Sequence, residues 1–279
     1  MICNPANPKE SGPVDIWQET FPVRFGSIDK SDRLTLDAVF QFFQEAAISH
    51  AENLEAGREA LIASGRLWIL SRMSVLVNRR PDYGEIITVR TWPQGSEKLF
   101  AIRNYDIRNS DGIPLVSARS AWLIVDMEKR RPLRPQTVVD KLPPNEGLEP
   151  FSFEAEALAA IGLAERGNLQ KTAERKALYT DIDYNRHVNN VSYIKWIEDT
   201  LDPRLLEETN KMRFDINYLN EILSGECAEI FCAEIDGING AAFPGKAFAF
   251  EGRKAETGQA AFRAELRLFN SFSEELFRN

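Results

Sequence analysis

Ile182-Asp183-Tyr184-Asn185-Arg186-His187-Val188 repeats the pattern of Ile28-Asp29-Lys30-Ser31-Asp32-Arg33-Leu34, which stands 154 positions earlier. Each stretch leads into an amphipathic segment. In the first, Leu36, Val39, Phe40, Phe43 and Ala47 fall at helical spacing; in the second, Val191, Ile194, Ile197 and Leu201 do the same. Self-similarity at this range predicts a duplicated structural unit.

Beyond each helix the pattern becomes extended. Trp68 to Val77 reads as a strand, followed by a turn at Pro81-Asp82-Tyr83-Gly84 and a strand from Glu85 to Trp92. The later half repeats this with Met212 to Tyr218, a turn ending at Gly225, and Glu226 to Glu234. The offset has dropped to 141, so the second copy has the shorter link after its helix. Hairpins follow in both halves. Leu99 to Arg108 and Pro114 to Val125 flank a turn ending at Gly112, where positive φ is cheap. Lys246 to Lys254 and Gln259 to Leu268 flank a turn near Thr257-Gly258. The proline-rich stretch Lys129 to Gly167 reads as the connection, with a helix over Glu154 to Glu165. Each unit is thus a short lead-in strand, one long helix and an antiparallel sheet, an α+β order. The expected division is residues 1–148 and 149–279.

Bulk properties exclude several classes. The chain has 279 residues, room for two domains, and a hydrophobic fraction of 43% builds a real core. A net charge of -8 argues against general nucleic-acid binding. No apolar run approaches the roughly 20 residues of a membrane span. Met1 to Gly12 lacks an apolar signal region, which reads as cytoplasmic. Cys3, Cys227 and Cys232 form no CxxC pair, and with only His50 and His187 beside them a metal site is not expected. Neither a phosphate-binding glycine loop nor a G-x-S-x-G elbow occurs. Positive charge clusters at Arg79-Arg80 and over Lys129 to Arg134. Such runs are usually solvated loops; the sharper reading is docking of an acidic or phosphate-bearing partner.

The chemistry-bearing residues are Asp183, Asn185 and His187. If that piece is extended, their alternation puts all three side chains on one face. Asn189 or Asn190 would cap the helix that follows. A carboxylate, an amide and an imidazole would then gather at a helix N-terminus, whose free N–H groups can hold a developing oxyanion. Spacing alone equally fits caps and turns.

The run Asp183-x-Asn185-x-His187-Val188-Asn189-Asn190-x-x-Tyr193-Ile194-x-Trp196 closely resembles the active-site motif of acyl-acyl carrier protein (acyl-ACP) thioesterases. Thr91-Trp92-Pro93-x-Gly95 with Phe100-Ala101-x-Arg103, and Arg130-Arg131-Pro132-x-Arg134-Pro135, are similar to supporting motifs of that family. The match covers about Phe21 to Leu268. It implies two tandem hotdog domains, each a long helix wrapped by a curved antiparallel sheet, forming a pseudo-dimer. The first would supply scaffold and acyl pocket, and the second the catalytic residues Asp183, Asn185 and His187. The family's glutamate on the following strand corresponds to Glu221. Where plant members carry a cysteine after it, this chain has Ile222, so a Cys–His mechanism does not carry over; Cys227, in the next strand, is read as core.

The implied activity is hydrolysis of fatty acyl-ACP in fatty acid biosynthesis, without cofactor or metal, with acyl carrier protein as partner. A coenzyme A thioesterase of the same fold and a non-catalytic acyl-binding protein are the alternatives. A fused pair can act as a monomer, and homodimers of such pairs are also open. In the first half, Ser31, Arg33 and Arg80 stand where the second has Asn185, His187 and Glu221, and only Asp29 matches Asp183. One working site per chain is expected.

Overall fold

The computed structural model describes residues 12–145, 148, 153, 155, 169–238 and 241–269. The helix expected over residues 154–165 and the reading of residues 1–12 fall outside these, apart from Ala155 and Gly12. Two compact units are present. One comprises Met1–Met73 with Arg79–Ala155; the other comprises Ser74–Asn78 with Glu156–Asn279. Both are hotdog units.

In the first unit, β1 (Trp17–Pro22) precedes α1 (Leu36–Asn53) and the short α2 (Arg58–Ala63). Then come β2 (Arg66–Val77), of which Arg66–Met73 belong to this unit, β3 (Ile86–Glu97), β4 (Phe100–Asn109), β5 (Pro114–Asp126), β6 (Pro132–Leu133) and α3 (Gln136–Val139). The strand order is β1-β3-β4-β5-β2, with β6 on β5. Gly112 takes φ 78° at the β4–β5 turn, as its sequence predicts. Thr35 caps α1 by accepting from the Ala38 N–H, and Glu55 at φ 53° turns the chain away after its end. Leu36, Val39, Phe40, Phe43 and Ala47 form its buried stripe. Burying each large side chain contributes roughly 2 kcal/mol. The Phe43 ring sits 4.9 Å from that of Tyr105 on β4.

His50, fully buried near the end of α1, is held from both sides. One ring nitrogen, Nε2, donates to the Val14 carbonyl at 2.8 Å, and Nδ1 accepts from Arg103 Nη1 at 3.0 Å. Burial first, and then the Arg103 charge, push its pKa down to about 4. The imidazole is therefore a neutral structural strut.

The second unit contains β7 (Gln170–Lys176), α4 (Asn190–Glu198), α5 (Pro203–Glu208), β8 (Met212–Tyr218), β9 (Cys227–Ile238), β10 (Ala241–Lys254) and β11 (Ala260–Phe269). Their order is β8-β11-β10-β9-β7. Met212, Phe214 and Ile216 share one buried face of β8, and Phe262, Ala264, Leu266 and Leu268 line β11. The alternate residues form an ionic lattice in which Glu251 binds both Arg253 and Arg263, and Asp215 binds Arg213.

The second helix is shorter than its apolar period suggests. It stops at Glu198, although Leu201 is still buried. Asp202 accepts from the Arg204 N–H and Pro203 occupies the first turn of α5, so a new helix starts there. Cys227, expected in the core, is only partly buried at the first residue of β9. Among the described residues, no helix is long and apolar enough to cross a membrane.

Candidate active site

Asp183 to His187 is not extended. Its backbone closes on itself: the Asp183 N–H donates to the His187 carbonyl at 3.0 Å, and the Arg186 N–H donates to the Asp183 carbonyl at 3.0 Å. Arg186 takes φ 71°, in the left-handed region. The cause is the Asp183 carboxylate, which accepts the Asn185 N–H at 2.7 Å in an Asx turn. Its other oxygen accepts from Asn185 Nδ2 at 3.3 Å. His187 Nδ1 stands 4.0 Å from Asp183 Oδ1, beyond a hydrogen bond. The loop thus brings the three expected side chains together through a turn and not through strand alternation.

Glu221 arrives on the neighbouring segment. After β8, the Leu219 and Asn220 N–H groups both donate to the Ala261 carbonyl, at 2.8 and 3.1 Å. The Val188 N–H donates to the Ile222 carbonyl at 2.8 Å, and His187 bridges to Leu223. Val188 and Ile222 are buried, Glu221 is exposed and His187 half-buried. Asn189, of the two cap candidates, is the one used: its side chain accepts from the Val191 N–H at 2.9 Å.

Tyr193 lies within the quoted motif, but no sequence pattern signals a role for it. Its ring packs 5.1 Å from Phe262 and 6.0 Å from Tyr218. Burial first drives the hydroxyl pKa well above its usual range. The charges of Glu221, Glu226 and Asp183 add to that, and a backbone hydrogen bond from Ile222 opposes it. The Asp183 and Glu221 carboxylates therefore both make themselves felt at one phenol.

The first unit repeats the frame bond by bond. The Asp29 N–H donates to the Arg33 carbonyl at 2.9 Å, the Asp32 N–H to the Asp29 carbonyl at 3.1 Å, and the Leu34 N–H to the Pro81 carbonyl at 2.8 Å. Asp32 takes φ 58°, and the Ser31 N–H binds Asp29 Oδ1 at 2.8 Å. Arg33 bridges to Asp82 as His187 does to Leu223. Pro81 occupies the place of Ile222 and Val39 that of Tyr193.

The side chains differ. Arg80, at the place of Glu221, is 4% exposed and puts Nη1 2.6 Å from Asp29 Oδ2. Arg79 binds Glu85 at 2.5 Å and lies 3.6 Å from Asp82. The docking idea for the Arg79-Arg80 pair is thus overturned: one arginine is buried and both are engaged. Lys129, Arg130, Arg131 and Arg134 are exposed. Among the described residues, no group of three or more His, Cys, Asp and Glu side chains gathers as a metal site would need.

Comparison with known proteins agrees with this duplicated architecture. Residues 14–141 match the family described as acyl-ACP thioesterase N-terminal domain, and residues 165–267 match the acyl-ACP thioesterase C-terminal domain. The chloroplastic palmitoyl-acyl carrier protein thioesterase of Cuphea hookeriana is 29% identical over 219 residues, covering 74% of this chain and 52% of that protein. The chain thus spans about half the length of the first curated relatives it matches. A crystal structure of an acyl-ACP thioesterase from Bacteroides thetaiotaomicron superposes with a TM-score of 0.76 at 25% identity, covering 91% of this chain and 98% of that one. The 12:0-ACP thioesterase of Umbellularia californica shares the fold, with a TM-score of 0.73 at 19% identity over 91% of this chain and 93% of its own. Matched in both of its halves, the chain belongs to the acyl-ACP thioesterase family.

Proposed function

We propose that this protein hydrolyses fatty acyl thioesters of acyl carrier protein, releasing a free fatty acid for lipid synthesis, with Asp183, Asn185, His187 and Glu221 as its catalytic group. One observation carries the reading. Two copies of one hydrogen-bond frame differ where chemistry would sit: the second has His187 and Glu221, the first Arg33 and Arg80. A purely structural loop has no need of that asymmetry. The surroundings fit an apolar substrate. Leu178, Tyr179, Tyr184, Leu219 and Leu223 are exposed, where the earlier repeat of the sequence has Arg24, Phe25, Lys30, Asn78 and Asp82.

In this reading, Glu221 and His187 orient a water and take its proton as it attacks the thioester carbonyl. N–H groups at the start of α4, with the Asn185 amide, receive the developing oxyanion. Asp183 holds Asn185 and the turn that presents His187. Collapse of the tetrahedral intermediate breaks the C–S bond, and the abstracted proton goes to the leaving carrier thiolate. Residues 1–148 act as scaffold and acyl pocket, and residues 149–279 as the catalytic domain. The protein works in the cytoplasm, alone or as a homodimer, and needs no cofactor.

Single-turnover hydrolysis of a chain-length panel of acyl carrier thioesters tests the reading. Palmitoyl and oleoyl chains, for which relatives are named, come first. His187→Ala and Glu221→Ala each lower kcat by roughly 100-fold or more with the fold intact. Near-normal turnover in both refutes the assignment. Parallel assays with coenzyme A thioesters decide the carrier. Labelled oxygen from water appearing in Glu221 would replace direct attack with an acyl-anhydride route.

A further inference from the structure

We propose that Asn220 is a positioning residue that fixes the Glu221 carboxylate through a carboxamide clamp onto the start of β11. This deepens the hydrolytic reading above and rests on it. Glu221 lies beyond the end of β8, outside any strand, so no regular ladder fixes its place. A glutamate that must orient a water cannot wander by much, since a displacement of about 1 Å costs roughly 100-fold in rate.

The structure supplies an alternative anchor on each side of it. On the near side, Asn220 Nδ2 donates to the Ala260 carbonyl at 2.7 Å, and its Oδ1 accepts from Gln259 Nε2 at 3.0 Å. The Asn220 backbone N–H is engaged as well, by the Ala261 carbonyl at 3.1 Å. On the far side, the Ile222 carbonyl is tied at 2.8 Å to the Val188 N–H, next to His187. Side chain and backbone of Asn220 therefore lock onto two consecutive residues of β11, and the glutamate follows immediately.

The first unit is an internal comparison. Its backbone bond persists: the Arg79 N–H donates to the Leu115 carbonyl at 3.2 Å, as the Asn220 N–H does to Ala261. The carboxamide clamp does not. Arg79 stands in place of Asn220 and sends its guanidinium to Glu85, while Ile113, exposed and apolar, stands in place of Gln259. Both halves of the clamp are missing where Glu221 is replaced by Arg80, and both are present where the glutamate is.

A double-mutant cycle tests the proposal on the full chain. Asn220→Ala is expected to lower kcat roughly 10- to 100-fold with KM within about twofold of wild type. Gln259→Ala, which leaves the Ala260 bond in place, gives a smaller loss in the same direction. In a Glu221→Gln background, Asn220→Ala should cost nothing further, because its effect travels through the carboxylate. Near-normal kcat for Asn220→Ala, or an equal loss in the Glu221→Gln background, overturns the positioning role. Wild-type turnover by Glu221→Gln itself instead removes the hydrolytic assignment of Glu221, and the positioning role with it. Circular dichroism on each variant separates unfolding from either result. If Asn220→Ala does not fold, the milder Gln259→Ala carries the same cycle with the same readings.

Discussion

Arg80 Nη1 lies 2.6 Å from Asp29 Oδ2, at the two positions that correspond to Glu221 and Asp183 in the second unit. A cation thus replaces one carboxylate and binds the other. Burial raises the Asp29 pKa, but the Arg80 bond and charge, with the Ser31 and Arg33 N–H groups, outweigh it and hold it below its usual value. Arg80→Met should lower unfolding stability in urea by roughly 3 kcal/mol at neutral pH, because it strands a partly buried carboxylate. A depressed carboxylate pKa gives stability that is present above the unfolded value of 3.8 and is lost as pH falls through the folded one. The gap between variant and wild type should therefore narrow in acid below that value.

The turn around Asp183 yields a graded result. Asp183→Asn keeps an oxygen for the Asn185 N–H, and Asp183→Ala does not. If the carboxylate serves mainly to hold the turn, alanine lowers kcat by roughly 100-fold and asparagine by clearly less. Equal losses would assign its role to charge.

His50 makes stability depend on pH in a defined window. Its folded pKa is about 4 against 6.5 for the free side chain, so the unfolded chain binds the proton more readily. Its contribution is complete above pH 6.5 and is progressively lost as pH falls to about 4. The loss reaches roughly 3 kcal/mol. His50→Gln should flatten this slope in a series of urea titrations.

The exposed turn over Lys129 to Arg134 is held by Asp126, whose Oδ1 accepts the N–H groups of Glu128 and Lys129. Arg130→Glu with Arg131→Glu should raise KM for carrier-bound substrate by roughly tenfold at low salt and leave a small thioester unaffected. Equal effects on both substrates would exclude carrier docking there.

Gly252 leaves no room for a side chain, because a Cβ would collide with the Phe262 ring. Gly252→Ala should cost roughly 2 kcal/mol by overpacking, read as a lowered Tm.

Most of the architecture was legible because it was written twice. Met212 to Tyr218 matches β8 residue for residue, and the 154-position offset aligns both loops and both helix caps. Local competition defeated other readings. The alternation of Asp183, Asn185 and His187 resembles a strand, but an aspartate two residues before an asparagine also favours an Asx turn, and the turn won. Leu201 extends the apolar period, yet Asp202-Pro203 starts a fresh helix, a signal that was available in the sequence. Arg79-Arg80 looked like a solvated charge run. The partner that buries Arg80 lies 51 positions away, where no local pattern can reveal it. Asn220 gave no signal, since its role depends on which carbonyl of β11 comes to lie beside it.

Pro81 narrows what the first copy can do. Proline has no backbone hydrogen to give, so at this position the segment facing the Asp29 turn can only accept, and its carbonyl receives the Leu34 N–H. An imidazole at position 33 and a glutamate at position 80 would also remove the guanidinium that binds Asp29. Grafting the second unit's chemistry onto the first therefore takes more than the two obvious replacements.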